Sequence, residues 1–136
     1  MPFFQTTSVI VSGDRDWPGP QIVHEVLDTL LKNGLQHVLV GCARGVDAFT
    51  RDWCVLHQRQ ITHEVFVAEW GVYKKKAGKL RNTRMAEAGA KQGVRLCLGF
   101  VTPWSVGTLH EMSETVRVGI ETWKFALPVN RWVRVG

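Results

Sequence analysis

Residues 74–85 read KKKAGKLRNTRM and carry six basic side chains: Lys74, Lys75, Lys76, Lys79, Arg81 and Arg84. The whole chain has a net charge of +5, so this stretch holds more positive charge than the entire protein nets. Cations at this density suit a solvated surface, a nucleic-acid patch or a site for one phosphate. Three other segments are as rich in chemistry: GDRDWPGP at 13–20, GCARGVD at 41–47 and GFVTPWSVGT at 99–108. Together with EWGVYKKKAGKLRN at 69–82 they supply basic groups for phosphate, backbone N–H groups at helix starts and flat rings for a base. That combination suits a nucleotide.

Each of these segments follows a strand-like run and leads into a helix-like one. Short apolar runs at 8–13, 37–41, 62–68, 94–100 and 122–129 predict five strands. Between the first two, residues 21–34 place Ile22, Val23, Val26, Leu27, Leu30 and Leu31 on one helical face, with Gly34 closing it. Val46, Phe49, Trp53 and Leu56 recur at helical spacing within 45–60. A long loop over 69–77 leads to a helix from about Gly78 to Gly89, and 107–119 forms a helix with Leu109, Met112 and Val116 inward. The tail NRWVRVG reads as an extra strand or a loose end. Strands alternating with helices imply right-handed crossovers and a mostly parallel five-stranded sheet with helices on both faces. The expectation is one α/β Rossmann-like domain over residues 1–136, whose ligands bind beyond the carboxyl ends of the strands.

Composition narrows the classes. At 136 residues, 45% hydrophobic and 21% charged, the chain can bury an ordinary core. A pI near 9.5 favours anionic partners. Cys42, Cys54 and Cys97 are scattered, with no C-x-x-C, and the five histidines form no H-E-x-x-H. No metal and no cofactor is expected, and the thiols read as free and buried in a reducing compartment. No apolar run approaches the ~20 residues of a membrane span. MPFFQTTSVIVSG lacks a basic n-region and a cleavage site, so the expected location is cytoplasmic, with no membrane partner.

Every candidate also has a plainer explanation. Gly13 and Gly41 can simply let the chain turn. Asp47 suits a helix N-terminus through the dipole. Thr108 and Glu111 fit a T-x-x-E capping box. Trp53 belongs in the core, whereas Trp17, Trp70 and Trp104 fall away from the helical core faces and serve as loop anchors or as base-stacking rings. Neither G-x-G-x-x-G nor G-x-x-x-x-G-K-[ST] is present, which argues against a standard dinucleotide fingerprint or P-loop.

Taken together, the loops resemble the SLOG superfamily. It includes the Lonely Guy phosphoribohydrolases, the DNA-processing protein A family, and small phage and bacterial proteins. The resemblance covers nearly the whole chain and is strongest to the small phage and bacterial branch. SGDRDW at 12–17 matches G-x-R-D-[WF], and GCARGVD at 41–47 matches G-x-A-x-G-x-D. Trp70 with AGKLRNTRM at 77–85 matches W-x(n)-A-G-x-x-R-N-x-x-M, and SVGT at 105–108 matches S-x-G-T at a helix start. The enzymatic relatives carry P-G-G-x-G-T-x-x-E, where this chain reads PWSVGTLHE. Pro103, Gly107, Thr108 and Glu111 are kept, while Trp104 and Ser105 replace two glycines that let backbone approach a phosphate.

The resemblance implies a ligand site built from Gly13, Arg15, Asp16, Trp17, Gly41, Arg44, Gly45, Asp47, Trp70, Lys79, Arg81, Asn82, Trp104, Ser105, Gly107 and Thr108. Arg44, Lys79 and Arg81 would hold phosphate, and Asp16 and Asp47 would take ribose hydroxyls or orient the arginines. The expected function is binding of a nucleotide or nucleotide derivative, to sense or sequester a signal in phage–host conflict. One alternative is a nucleoside 5′-monophosphate phosphoribohydrolase, in which Arg81 and Glu111 would be catalytic. There the carboxylate would stabilise an oxocarbenium-like cation or activate water. A second alternative is single-stranded nucleic-acid binding through the basic stretch and tryptophans. Relatives also imply a homodimer or larger homo-oligomer, with Trp123 or Trp132 as candidate interface residues.

Overall fold

A computed structural model describes residues 4–136. Residues 1–3, which open both the expected domain and the stretch bearing on a signal peptide, lie outside the described residues. The β-branched runs form strands β1 (Ser8–Gly13), β2 (His37–Gly41), β3 (Thr62–Phe66), β4 (Leu96–Val101) and β5 (Glu121–Ala126). They alternate with α1 (Gln21–Lys32), α2 (Val46–Leu56), α3 (Trp70–Tyr73), α4 (Ala77–Lys91) and α5 (Val106–Arg117). A final strand, β6 (Arg131–Val135), closes the order.

The sheet therefore has six strands, not the expected five, in the order β3-β2-β1-β4-β5-β6. The first five pair in parallel, and β6 runs antiparallel against β5. The four-residue turn over 127–130 is too short to return a parallel strand, but it folds the tail back as a hairpin. The tryptophans explain why the tail docks. Trp132 meets Phe4, Phe100 and Phe125 edge-on, and Trp123 meets Phe4. Both rings are half-buried and pack against the main core.

The parallel strands are covered on both faces. On one, Val9, Val11, Val38, Val40 and Leu98 pack with Val23, Leu27 and Leu30 of α1 and Val46 and Trp53 of α2. On the other, Ile10, Leu39 and Cys97 pack with Met85 of α4. Two inward assignments differ from expectation. Leu56 ends α2 and is 75% exposed, and Leu109 is 50% exposed. The buried stripe of α5 is instead Thr108, Glu111, Met112 and Thr115, one residue out of phase with its apolar pattern. Three of those four are polar, so hydrophobic periodicity alone misorients the helix.

The segment over 69–77 is not a plain loop. It holds α3 and a 3₁₀ turn at Lys74–Lys76, and α4 begins at Ala77, running past Gly89 to Lys91. Among the described residues no helix is long and apolar enough to cross a membrane.

Candidate functional site

The strand order reverses between β1 and β4, and the loops leaving their carboxyl ends diverge there. This is where a doubly wound sheet opens a crevice. The loops after β1, β2 and β4 and the start of α4 meet at that edge.

Arg81 reaches from α4 to the ends of β2 and β3. Its Nε donates to Asn82 Oδ1 at 2.8 Å, and its Nη1 lies 3.4 Å from both Cys42 Sγ and the Phe66 carbonyl oxygen. Asp47 Oδ2 accepts from the Ala43 N–H at 3.1 Å. Asp47 thus bonds the turn before its own helix, beyond the dipole role expected of it. A Cβ at Gly41 would stand 2.6 Å from both Arg81 Nη1 and Asp47 Oδ2, so glycine is what admits the pair. Burial pushes the Asp47 carboxyl above its ordinary value, outweighing the Arg81 charge, the Ala43 N–H and the Arg51 charge, which lower it.

Glu111 lies beneath this cluster. It is fully buried, and among the described residues neither carboxyl oxygen has a hydrogen-bond partner. Burial pushes it up to about 9, opposed by the Arg81 charge and reinforced by Asp47 and Glu114. At neutral pH it is a neutral acid. The capping-box expectation fails here. Ser105 occupies the N-cap position of α5, no side chain caps the helix, and Thr108 and Glu111 both point inward. The N–H groups that open α5, at Gly107 and Thr108, are of the kind that bind anions. A Cβ at Gly107 would meet nothing within 4 Å, so packing does not demand that glycine.

Asn82 ties the two helices together. Its Nδ2 donates to the Gly107 carbonyl at 3.3 Å and to His110 Nδ1 at 3.2 Å, which leaves the His110 proton on Nε2. Lys79 is exposed, one turn before Asn82 and Thr83 on the same side of α4. Arg44 pairs with Asp16 at 2.9 Å, and both are largely exposed, which places them on the rim. Arg15 is also exposed. Gly13 and Gly45 serve packing: a Cβ at Gly13 would overlap Val46, and Gly45 has a φ of 71° with its open side against the Asp14 and Arg15 backbone.

The three loop tryptophans part company. Trp17 is 4% exposed and packs edge-on against Phe100 and Phe125, so it is a core anchor and not a stacking ring. Trp70 is 54% exposed with its ring edge over Gly78, and Trp104 is 84% exposed. Trp70 opens α3, and Trp104 precedes the N-cap residue of α5.

Four site residues escaped sequence reasoning: Asp14, Cys42, Thr102 and His110. Asp14 accepts the hydroxyls of Ser105 and Thr102 at 2.5 and 2.7 Å. Burial raises its carboxyl, but those two hydroxyls, the Asp16 N–H and the Arg15 charge outweigh it and leave it below the ordinary value. Asp14 sits at the open position of G-x-R-D, so the motif carried no signal for it. Cys42 is half-buried beside Arg81, whereas Cys54 and Cys97 are buried thiols.

The family model of YAcAr, the YspA, cpYpsA-related SLOG family, matches residues 7–73. The chain is also 36% identical over 122 residues to the Gene 61 protein of Mycobacterium phage D29, an alignment covering 86% of this chain and 94% of that one. This protein belongs to the SLOG superfamily. The family match spans the loops after β1 and β2, with Gly13, Asp16, Gly41, Arg44 and Asp47, and reaches Trp70. The alignment to the phage protein is long enough to take in the Arg81 and Glu111 half of this SLOG domain as well. No solved structure matches the chain significantly.

Proposed function

We propose that this SLOG protein binds a nucleotide or nucleotide-derived small molecule in the crevice between β1 and β4. One observation carries the reading: Arg81 and Asn82 of α4 stand beside the uncapped start of α5, and Trp70 and Trp104 expose their rings from loops at the same carboxyl edge of the sheet. A guanidinium and free backbone N–H groups receive phosphate, and exposed indoles receive a base. We set its role, the sensing or sequestering of such a ligand, in phage–host conflict because the chain is similar to a phage protein.

Binding is favoured over cleavage by the state of Glu111. A phosphoribohydrolase needs a carboxylate that meets the sugar, and this one is sealed under α5 and neutral. Protein stripped of co-purified ligand should be stabilised by at least one member of a panel of nucleoside monophosphates, cyclic dinucleotides and ADP-ribose derivatives, in thermal shift and calorimetry. No stabilisation by any of them would sink the reading. Free base appearing on incubation with AMP, GMP or CMP would convert it to the enzymatic one.

A further inference from the structure

We propose that Asp14 is the positioning residue of this crevice: its carboxylate fixes the loop between β4 and α5, and with it the start of α5 and Trp104. The inference rests on reading this edge as the ligand site.

Two strand ends and one helix start meet on this one residue. The Asp14 N–H donates to the Phe100 carbonyl of β4 at 2.9 Å, and its own carbonyl accepts from Val46, which opens α2, at 3.2 Å. Oδ1 accepts the Asp16 N–H at 2.6 Å. Oδ2 accepts both hydroxyls of the β4–α5 loop, Ser105 at 2.5 Å and Thr102 at 2.7 Å. Those hydroxyls in turn accept from the loop's backbone: the Thr102 N–H donates to Ser105 Oγ at 2.8 Å and the Trp104 N–H to Thr102 Oγ1 at 3.3 Å. The side-chain bonds that shape the loop thus run to a single buried carboxylate.

This arrangement fixes the turn at Trp104 and Ser105. A glycine pair gives backbone freedom at that turn. Trp104 and Ser105 restrict it, and charge-assisted hydrogen bonds then hold the one shape left. A consequence concerns the ligand. A serine hydroxyl has one proton, and Ser105 gives it to Asp14, so Ser105 has none for a phosphate. Anion contact falls to the backbone N–H groups of Gly107 and Thr108 instead. The Asp14 carboxylate also lies beside the N-terminal end of α5, where negative charge is favoured.

The test is residue-resolved amide hydrogen exchange on the full chain, with and without Asp14→Asn. Loss of the carboxylate should speed exchange at residues 102–108 by roughly tenfold or more, the scale of losing bonds to a charged acceptor, with α1 and β2 unchanged. Ser105→Ala should give a smaller change in the same amides. Added to Asp14→Asn, it should do little more, because both act on one bond. Asp14→Glu should not restore protection, since the longer chain misplaces the carboxylate. Wild-type exchange at 102–108 in Asp14→Asn, or a uniform rise across the protein, would overturn the proposal. Should Asp14→Asn fail to fold, Ser105→Ala and Thr102→Val decide it by the same amides. Nucleotides failing to bind while the loop loosens as expected would count against the ligand reading alone.

Discussion

Arg81 and Asp47 share the space directly above Gly41, where a side-chain carbon would come within 2.6 Å of each. A half-buried cation and a buried carboxylate are thereby held at the ends of β2 and β3 by the absence of one methyl group. Gly41→Ala should force them apart and cost about 1–3 kcal/mol through overpacking. Equilibrium urea unfolding measures this, and an unchanged midpoint would show that the pair can move aside freely.

Arg81 and Lys75 belong to the same basic stretch but should behave differently. Arg81→Ala leaves Asp47 buried beside no cation from α4 and opens the crevice, so both stability and nucleotide affinity should fall, the former by about 1–3 kcal/mol. Lys75 is fully solvated on the 3₁₀ turn, and Lys75→Ala should stay within ~0.5 kcal/mol. Parallel melts and ligand titrations compare them. Equal effects would return the whole stretch to a solvated surface.

Glu111 should make the protein less stable as pH rises. Its folded value is raised from 4.5 to about 9, so the folded state holds a proton that the unfolded state releases. The stabilisation is complete below 4.5 and lost progressively up to about 9, with a limiting slope of about 1.4 kcal/mol per pH unit. Glu111→Gln keeps the shape without the titration. Its unfolding free energy should be flatter across that window, and the gain over wild type should grow toward alkaline pH. Parallel curves for the two proteins would refute this.

Trp17 and Trp104, which the sequence leaves open alike as loop anchors or stacking rings, divide in the structure. Trp17→Ala removes a ring buried against Phe100 and Phe125 and should cost about 3–5 kcal/mol. Trp104→Ala, at 84% exposure, should leave the melting temperature almost unchanged while weakening nucleotide binding. Denaturant unfolding of the two variants distinguishes them. A ligand affinity untouched by Trp104→Ala would leave Trp70 as the remaining candidate ring.

Much of this protein is local in origin and so legible in one dimension. Apolar runs such as HVLVG and the face carrying Val23, Val26, Leu27 and Leu30 state their own element and inward side. Their alternation implies a parallel sheet, and the rule that ligands sit at carboxyl ends of strands follows. Arg81 was identifiable because its motif lies at the start of a helix aimed at that edge.

What tertiary structure decided depends on partners distant in the chain. Asp14 reaches Ser105 across 91 positions, a pairing that no periodicity records. Trp17 turns inward because Phe100 of β4 and Phe125 of β5 build an aromatic pocket against it. Glu111, readable as a solvent-facing cap, becomes a sealed neutral acid because α5 rotates its polar stripe onto the sheet. Hydrophobic pattern reports which residues avoid water. The neighbours of a polar side chain, and hence its charge and use, are set when strands and helices from the whole chain close around it.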